Sequence, residues 1–397
     1  MKKVVIIGGG ASGLTAAIYA AKAGNEVTIL ERNNTTGKKI LITGNGRCNY
    51  FNEDQKKHHY HSSNKELIFQ IITPHNLSEI LDFFDTIGIV PKIKNNYYYP
   101  NSNQAVSMKE ALLSECKLLG VKIKTDYLVN NIIKTEKGFI INDEIIADKV
   151  IIASGSKAAP KTGSDGIGYE LAKKLNHNII KPLPALVQLR SNEAPKEWNG
   201  IRCDAEVTLI ESDKEIRTET GEIQLTDYGI SGICVFNLSQ YISKGLDKNK
   251  KEEIAINFLP EIKDFITFMD ERNKKVKGRN IGKLFDGLLN YKLADILIKK
   301  SDINKESYWN DLTNIQKENL NKNITNLKIN ITGTNSFDKA QVCSGGIPLT
   351  EINPKTMEST KTKDLYFAGE ILDVNGDCGG YNLTFAFVTG MLAGKDN

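Results

Sequence analysis

The alternation of apolar and polar positions divides the chain into segments of different character. Val4 to Ile7 is a wholly apolar run, the pattern of a parallel strand covered on both faces. Leu14 to Ala23 then reads as an Ala-rich helix, and Glu26 to Leu30 as a second strand ending at Glu31. Ala147 to Ile152 predicts another buried strand, which runs out into the small residues Ala153, Ser154 and Gly155. Pro182 and Pro184 mark a break. From Leu186 to Phe258 short alternating runs, such as Ala205 to Ile210 and Ile254 to Phe258, predict strands. From Glu261 to about Asn323 the pattern turns helical, with Leu284, Leu288, Leu293 and Leu297 recurring near helical spacing. Leu327 to Ile331 returns to strand, Lys361 to Glu370 is a polar lead into a buried strand, and Leu383 to Ala393 is again helical.

The turn after the first strand carries the first chemistry. Gly8-Gly9-Gly10-Ala11-Ser12-Gly13 matches G-x-G-x-x-G between a strand and a helix. In a dinucleotide-binding turn Gly8 allows the tight bend, Gly10 lets a pyrophosphate approach the backbone, and Gly13 permits close helix–strand packing. The N–H groups of Ala11, Ser12 and Gly13 then open the helix toward the anion. Glu31, 18 residues after Gly13, stands where an acid accepts the ribose hydroxyls, with Arg32 beside it. No second G-x-G-x-x-G follows, so a dedicated nicotinamide domain is not visible, and NAD(P)H is expected as a transient co-substrate. The expected architecture is α/β: a Rossmann-type domain made of residues 1–185 and 343–397, interrupted by a β-rich insert (186–260 and 324–342) with a small helical subdomain (261–323).

The far end of the chain selects FAD. Leu365-Tyr366-Phe367-Ala368-Gly369-Glu370 is a buried strand ending in Gly-acid, similar to the second flavin fingerprint of two-dinucleotide-binding-domain flavoproteins. In that fingerprint the acid after the last strand holds the ribityl chain; here it is Glu370, where Asp is commoner, and Asp373 is placed to share the contact. Gly379-Gly380-Tyr381-Asn382 then opens a helix whose N-terminus would favour negative charge on the reduced ring.

Gly37-Lys38-Lys39-Ile40-Leu41-Ile42-Thr43-Gly44-Asn45-Gly46-Arg47-Cys48-Asn49 resembles the signature of a bacterial NAD(P)/FAD-dependent oxidoreductase family. That family includes 3-dehydro-bile-acid reductases, an aminoacetone oxidase and a ribosomal RNA dihydrouridine synthase. Thr162-Gly163-Ser164, Gly166, Gly168-Tyr169, Gly229-Ile230-Ser231-Gly232 and Thr356-Met357-Glu358-Ser359 extend the resemblance along the chain. It implies an FAD domain split by an insert, with Lys39, Gly44, Asn45, Gly46, Cys48 and Asn49 near the cofactor. Thr384, where many members carry Gln, and Leu225-Thr226-Asp227, where Phe-Thr-His is common, bear on the substrate rather than the cofactor.

Three readings of individual residues follow. Arg47 neutralises phosphate or reduced flavin. Cys48 is either a proton donor or a small residue filling space beside the flavin, and Cys378 is read the same way. Tyr381 and Tyr228 either meet the substrate or pack. Six scattered cysteines without C-x-x-C spacing exclude a zinc ribbon and a redox dithiol, and they fit a reducing compartment. The run Lys56-Lys57-His58-His59-Tyr60-His61 is expected to be a solvated loop, with no metal bound. No apolar segment reaches 18 residues, so a cytoplasmic protein without a membrane partner is expected. The formal charge of +4 is mild. Residues 244–300, however, hold fourteen basic against nine acidic residues, Arg272, Lys274, Lys275 and Arg279 among them. Two function classes stay open. The first is an FAD enzyme that uses NAD(P)H to reduce a carbonyl-conjugated carbon–carbon double bond; the basic segment, although such a run is usually a solvated face, favours uridine in ribosomal RNA as its substrate, with a 3-oxo-Δ4 steroid reductase or an amine oxidase as the alternative. The second is a flavin-stabilised RNA-binding module without turnover.

Overall fold

A computed structural model describes residues 1–395. Two compact units emerge: Met1–Leu183 together with the segment from Ala340 onward, and Pro184–Lys339.

The first unit is built on five parallel strands in the spatial order Leu365–Phe367, Lys149–Ile152, Lys3–Ile7, Glu26–Leu30, Lys122–Lys124. Val5 lies opposite Val150 on one side and Thr28 on the other. The central strands are apolar at nearly every position because both faces are covered, and Ile6, Val150, Ile151 and Ile152 are fully buried. The first helix, Ala11–Lys22, lies against the C-terminal helix, Tyr381–Lys395. Their backbones come so close that a Cβ on Gly390 would collide with the Ser12 carbonyl oxygen, and one on Gly394 would sit 2.5 Å from that of Ala16. Ser12 Oγ donates to the Ala368 carbonyl (3.3 Å) and the Gly369 N–H to Thr389 Oγ1 (2.9 Å). Residues more than 350 positions apart in sequence are thereby tied at one edge of the sheet. A three-stranded antiparallel meander, Ile132–Thr135, Gly138–Ile141 and Ile145–Ala147, leads into the strand Lys149–Ile152.

The second unit is a seven-stranded antiparallel sheet, dominated by the long pair Arg202–Glu211 and Lys214–Thr226. Four helices, Phe265–Lys275, Ile281–Leu284, Tyr291–Lys300 and Asn314–Thr325, add a core of Met269, Leu284, Leu293, Leu297, Trp309 and Leu320. Their starts are capped: Asp264 accepts from the Thr267 N–H (3.1 Å), and Thr313 forms a capping box with Gln316. The architecture is the expected one, a Rossmann-type domain interrupted by a β-rich insert with a small helical part. One element departs from the expected run of strands. Ile233–Asp247 is a helix, because Cys234, Val235, Leu238 and Ile242 recur at helical intervals and bury one face. Among the described residues no helix is long and apolar enough to cross a membrane.

Candidate functional site

In a parallel sheet the turns after successive strands emerge on the same edge. Gly8–Gly10, Glu31, Ala153–Gly155 and Gly369–Glu370 each follow such a strand and share that edge, where ligands of open α/β sheets bind. The three fingerprint glycines differ in what surrounds them. Gly8 has φ +102°, and a Cβ there would lie 2.5 Å from the Ala153 carbonyl oxygen. One on Gly13 would collide with the Gly8 carbonyl oxygen, whereas one on Gly10 meets no atom within 4 Å. Gly8 and Gly13 are closed by protein; Gly10 borders open space before the first helix. Glu31 is 7% exposed. Its Oε2 accepts from the Gly9 N–H (2.8 Å), and its Oε1 from Asn33 N–H (2.9 Å) and Nδ2 (2.7 Å). A carboxylate accepts about four bonds, so an acceptor position is left. Ser154 Oγ and Tyr169 Oη are buried without a hydrogen-bond partner among the described residues. The open space at Gly10, the acceptor on Glu31 and these orphaned hydroxyls fit a dinucleotide with ribose and phosphate oxygens. Tyr169 is not among the cofactor residues expected from the sequence, although the Gly168-Tyr169 pair carries part of the family resemblance; Gly168 packs against Ser154.

The other cofactor candidates are more occupied than expected. Arg32 pairs with Asp165. Lys39 Nζ donates to Glu370 Oε2 (2.5 Å) and the Ala158 carbonyl (3.3 Å), and the Cys343 N–H donates to Glu370 Oε1 (3.2 Å). Asp373 is buried, and its Oδ2 accepts from Ser63 N–H (2.8 Å), Ser63 Oγ (2.6 Å) and Ser62 Oγ (3.3 Å), so any share in a ribityl contact falls to Oδ1. Asn382 accepts from the Gly376 N–H (2.8 Å) and donates to its carbonyl (2.9 Å), pinning the turn that holds Gly380.

Around Gly44 the chain bends left-handed, with positive φ at Gly44, Asn45, Gly46 and Cys48. Gly44, Asn45, Gly46 and Arg47 are exposed. Arg47 Nε donates back to the Gly44 carbonyl (3.2 Å), and its guanidinium lies 5.4 Å from the centre of the Tyr99 ring. Cys48 is 0% exposed, and burial pushes its thiol up to about 12 against a weaker opposing bond from Thr43. A residue lining a ligand cleft would be open to water here, so Cys48 favours the space-filling role. With its amide nitrogen assigned to the inward side, Asn49 donates to the carbonyls of Tyr98 (3.2 Å) and Phe51 (3.0 Å). Thr384 is buried and donates to the Tyr50 carbonyl (3.3 Å).

The histidine run corrects the solvated-loop expectation. Lys56, Lys57 and His58 are exposed, but the strand Tyr60–His61 pairs with Asn375–Gly376 and draws two rings inward. His61 Nε2 lies 2.9 Å from Asp377 Oδ1, and His59 Nδ1 lies 3.2 Å from Asp377 Oδ2. The His59 ring stacks on Tyr381 at 4.5 Å and 16°. Tyr381 is buried by it and by Tyr60, so its ring is a support rather than a free surface for substrate. No spacing rule links residue 59 to residue 377; the only signal is histidine density. Arg272, in the other unit, is likewise engaged: Nε donates to the Leu284 carbonyl (2.6 Å) and an Nη to that of Asp286 (2.7 Å). Lys274, Lys275, Lys277 and Arg279 remain exposed.

A family model described as the HI0933-like protein Rossmann domain matches residues 2–396. The chain belongs to this family of oxidoreductases. It is 40% identical over 407 residues to a 3-dehydro-bile acid Δ(4,6)-reductase of Clostridium scindens, covering 100% of this chain and 98% of the relative. It is 26% identical to a ribosomal RNA dihydrouridine synthase of Escherichia coli, covering 99% and 97%. Among solved structures it is similar to the open conformation of a flavocytochrome c3 fumarate reductase, with TM-score 0.51, 14% identity and coverage of 100% and 78%. It is also similar to a 3-ketosteroid Δ1-dehydrogenase of Sterolibacterium denitrificans, with TM-score 0.50, 9% identity and coverage of 100% and 99%. At these identities the likeness of this HI0933-like protein to the two structures is one of fold.

Proposed function

We propose that the chain is an FAD-dependent oxidoreductase that reduces a carbon–carbon double bond conjugated to a carbonyl, with NAD(P)H as electron donor. The observation that carries the cofactor is the cradle: Gly10 alone among the fingerprint glycines faces open space, at the start of the helix Ala11–Lys22 and on the same sheet edge as Glu31. The first-turn N–H groups would face the pyrophosphate and Glu31 a ribose hydroxyl. Ser154 and Tyr169 offer two further hydroxyls. When bound, FAD supplies a two-electron carrier; the chain supplies its orientation and a proton.

For the substrate, full-length similarity at 40% to a bile-acid reductase favours a small 3-oxo steroid-like enone. Uridine in ribosomal RNA is the second reading. It is supported by the more distant dihydrouridine synthases and by the exposed Lys274, Lys275, Lys277 and Arg279, since phosphate contact is electrostatic. Purified protein should be yellow and bleach anaerobically with NAD(P)H, and a 3-oxo-Δ4 steroid should restore the colour and gain two hydrogens by mass. Reoxidation by ribosomal RNA with dihydrouridine formation, and none by the steroid, selects the second reading. Reoxidation by dioxygen alone points to an amine oxidase, and flavin that no donor reduces points to an RNA-binding module.

A further inference from the structure

We propose that His59 is the proton donor of this reaction and that Asp377 is its positioning residue; this rests on the function proposed above. By sequence alone the 56–61 run is a solvated loop. In the fold it becomes a built arrangement on the turn that opens the C-terminal helix. Asn52 Nδ2 donates to the Gly379 carbonyl (2.9 Å), Asp377 N–H to the His59 carbonyl (2.9 Å), and Asn382 holds Gly376 from both sides. His59 therefore moves with the Gly379–Asn382 turn, the segment whose helix N-terminus is read as facing the cofactor ring.

The two ring nitrogens have unequal partners. Nδ1 lies 3.2 Å from Asp377, which is 1% exposed and also engages His61. A buried carboxylate on Nδ1 fixes the tautomer and leaves Nε2 to give and take a proton. Among the described residues Nε2 meets Asp54 Oδ2 at 3.5 Å and no nearer partner, on a half-buried side chain that Lys56 Nζ also contacts at 3.1 Å. This looser contact is the one a substrate can displace. The His59 side chain is 19% exposed, so it reaches solvent where Tyr381 beneath it does not. The groups facing it are Asp54 with Lys56, the ring of His58 (3.9 Å), Tyr381, which Tyr60 backs, and Asp377 with His61. An imidazole both gives and takes a proton, the requirement for a general acid, and His59 reaches solvent where the Cys48 thiol is 0% exposed. Bound FAD, once reduced by NAD(P)H, would supply a hydride to one alkene carbon; the proton is the contribution of His59. The Nε2–H bond breaks as a C–H bond forms at the carbon beside the carbonyl. The neutral ring regains its proton from water by way of Asp54.

The test separates this role from the reaction it serves. Holoprotein reduced with dithionite is mixed anaerobically with 4-androstene-3,17-dione, and with ribosomal RNA in parallel. His59→Gln should slow reoxidation by at least about 10²-fold, the scale for losing a general acid. Asp377→Asn should slow it less and displace its pH profile. Without any turnover, the Cε1–H resonances of His59 and His61 should titrate at shifted pH in Asp377→Asn and in Asp54→Asn. Wild type that reacts with either probe while His59→Gln reacts as fast overturns the proton-donor role alone. Wild type inert to both probes overturns the proposed reaction and this role with it. Histidine titrations unmoved by Asp377→Asn overturn the positioning role.

Discussion

Glu31 and Glu252 are buried to a similar degree, 7% and 2% exposed, one in each unit, yet their surroundings are opposite. Glu31 ends a parallel strand where the chain turns back, so the N–H groups of Gly9 and Asn33 and the Asn33 amide converge on it. Glu252 begins an antiparallel strand, beside the backbone of Gly245 and near Glu211, and neither of its oxygens has a hydrogen-bond partner. Burial there, with the Glu211 charge adding to it and Lys250 opposing, pushes its carboxyl up to about 7. Burial does not by itself decide what a carboxylate does. The supply of donors does, and a carboxylate with donors and a spare acceptor position at a sheet edge is equipped for a ligand.

The largest effect is expected from Gly10→Val, whose added Cβ meets no atom within 4 Å and whose branches would occupy the open space before the first helix. It should fold normally and purify without flavin, and a yellow Gly10→Val protein would remove the cleft from the cofactor. Next is Glu252→Gln. The folded pKa lies above the ordinary carboxylate value of 4.5. Stability from the protonated carboxyl is therefore complete below about pH 4.5 and lost as pH rises through about 7. A tenfold change in proton affinity between the folded and unfolded chain is worth about 1.4 kcal/mol. The amide should therefore raise stability at pH 8 by up to about 3 kcal/mol and leave it nearly unchanged at about pH 4, measured by urea unfolding at both. Equal effects at the two pH values would show that the carboxyl is not protonated in the fold.

Glu31→Gln should act in the other direction. It exchanges charge-assisted bonds for neutral ones and weakens acceptance of a ribose hydroxyl, costing about 2 kcal/mol. Flavin should then bind roughly thirtyfold more weakly by titration of apoprotein. The smallest effect is expected at Cys48→Ala, about 1 kcal/mol for one buried atom beyond Cβ, with substrate-dependent reoxidation unchanged. A slowing of about 10²-fold would restore Cys48 as the proton donor.

Much of the fold is legible in the pattern of residues. The Rossmann-type core can be read because its strands are apolar on both faces and its turns require glycine for reasons of backbone contact, at Gly8 and Gly13. The helical part of the insert is readable only in part from its leucine spacing: Leu293 and Leu297 share the helix Tyr291–Lys300, whereas Leu284 ends the helix Ile281–Leu284 and Leu288 lies in the turn that follows. The helix Ile233–Asp247 is not, because a single buried face embedded among strand-like runs reads either way until the sheet it covers is known. Among site residues, Arg32, Asp373 and Arg272 stand out by charge, and each proves to be held by neighbours that no local pattern names: Asp165, Ser62 with Ser63, and the carbonyls of Leu284 and Asp286.

The family is legible in motifs spread along the chain, and the strand–turn–helix at Gly8–Gly13 and the closing helix in local pattern, because such elements depend on near neighbours and on steric limits of the backbone. Only the tertiary structure decided which polar groups are free to act. It drew His59 and His61 onto Asp377, more than 300 residues away, closed Cys48 off from water and left the Ser154 and Tyr169 hydroxyls without hydrogen-bond partners among the described residues. The physical reason is that a side chain's chemistry follows from its burial and its hydrogen-bond partners, and both are properties of chain segments that meet in space.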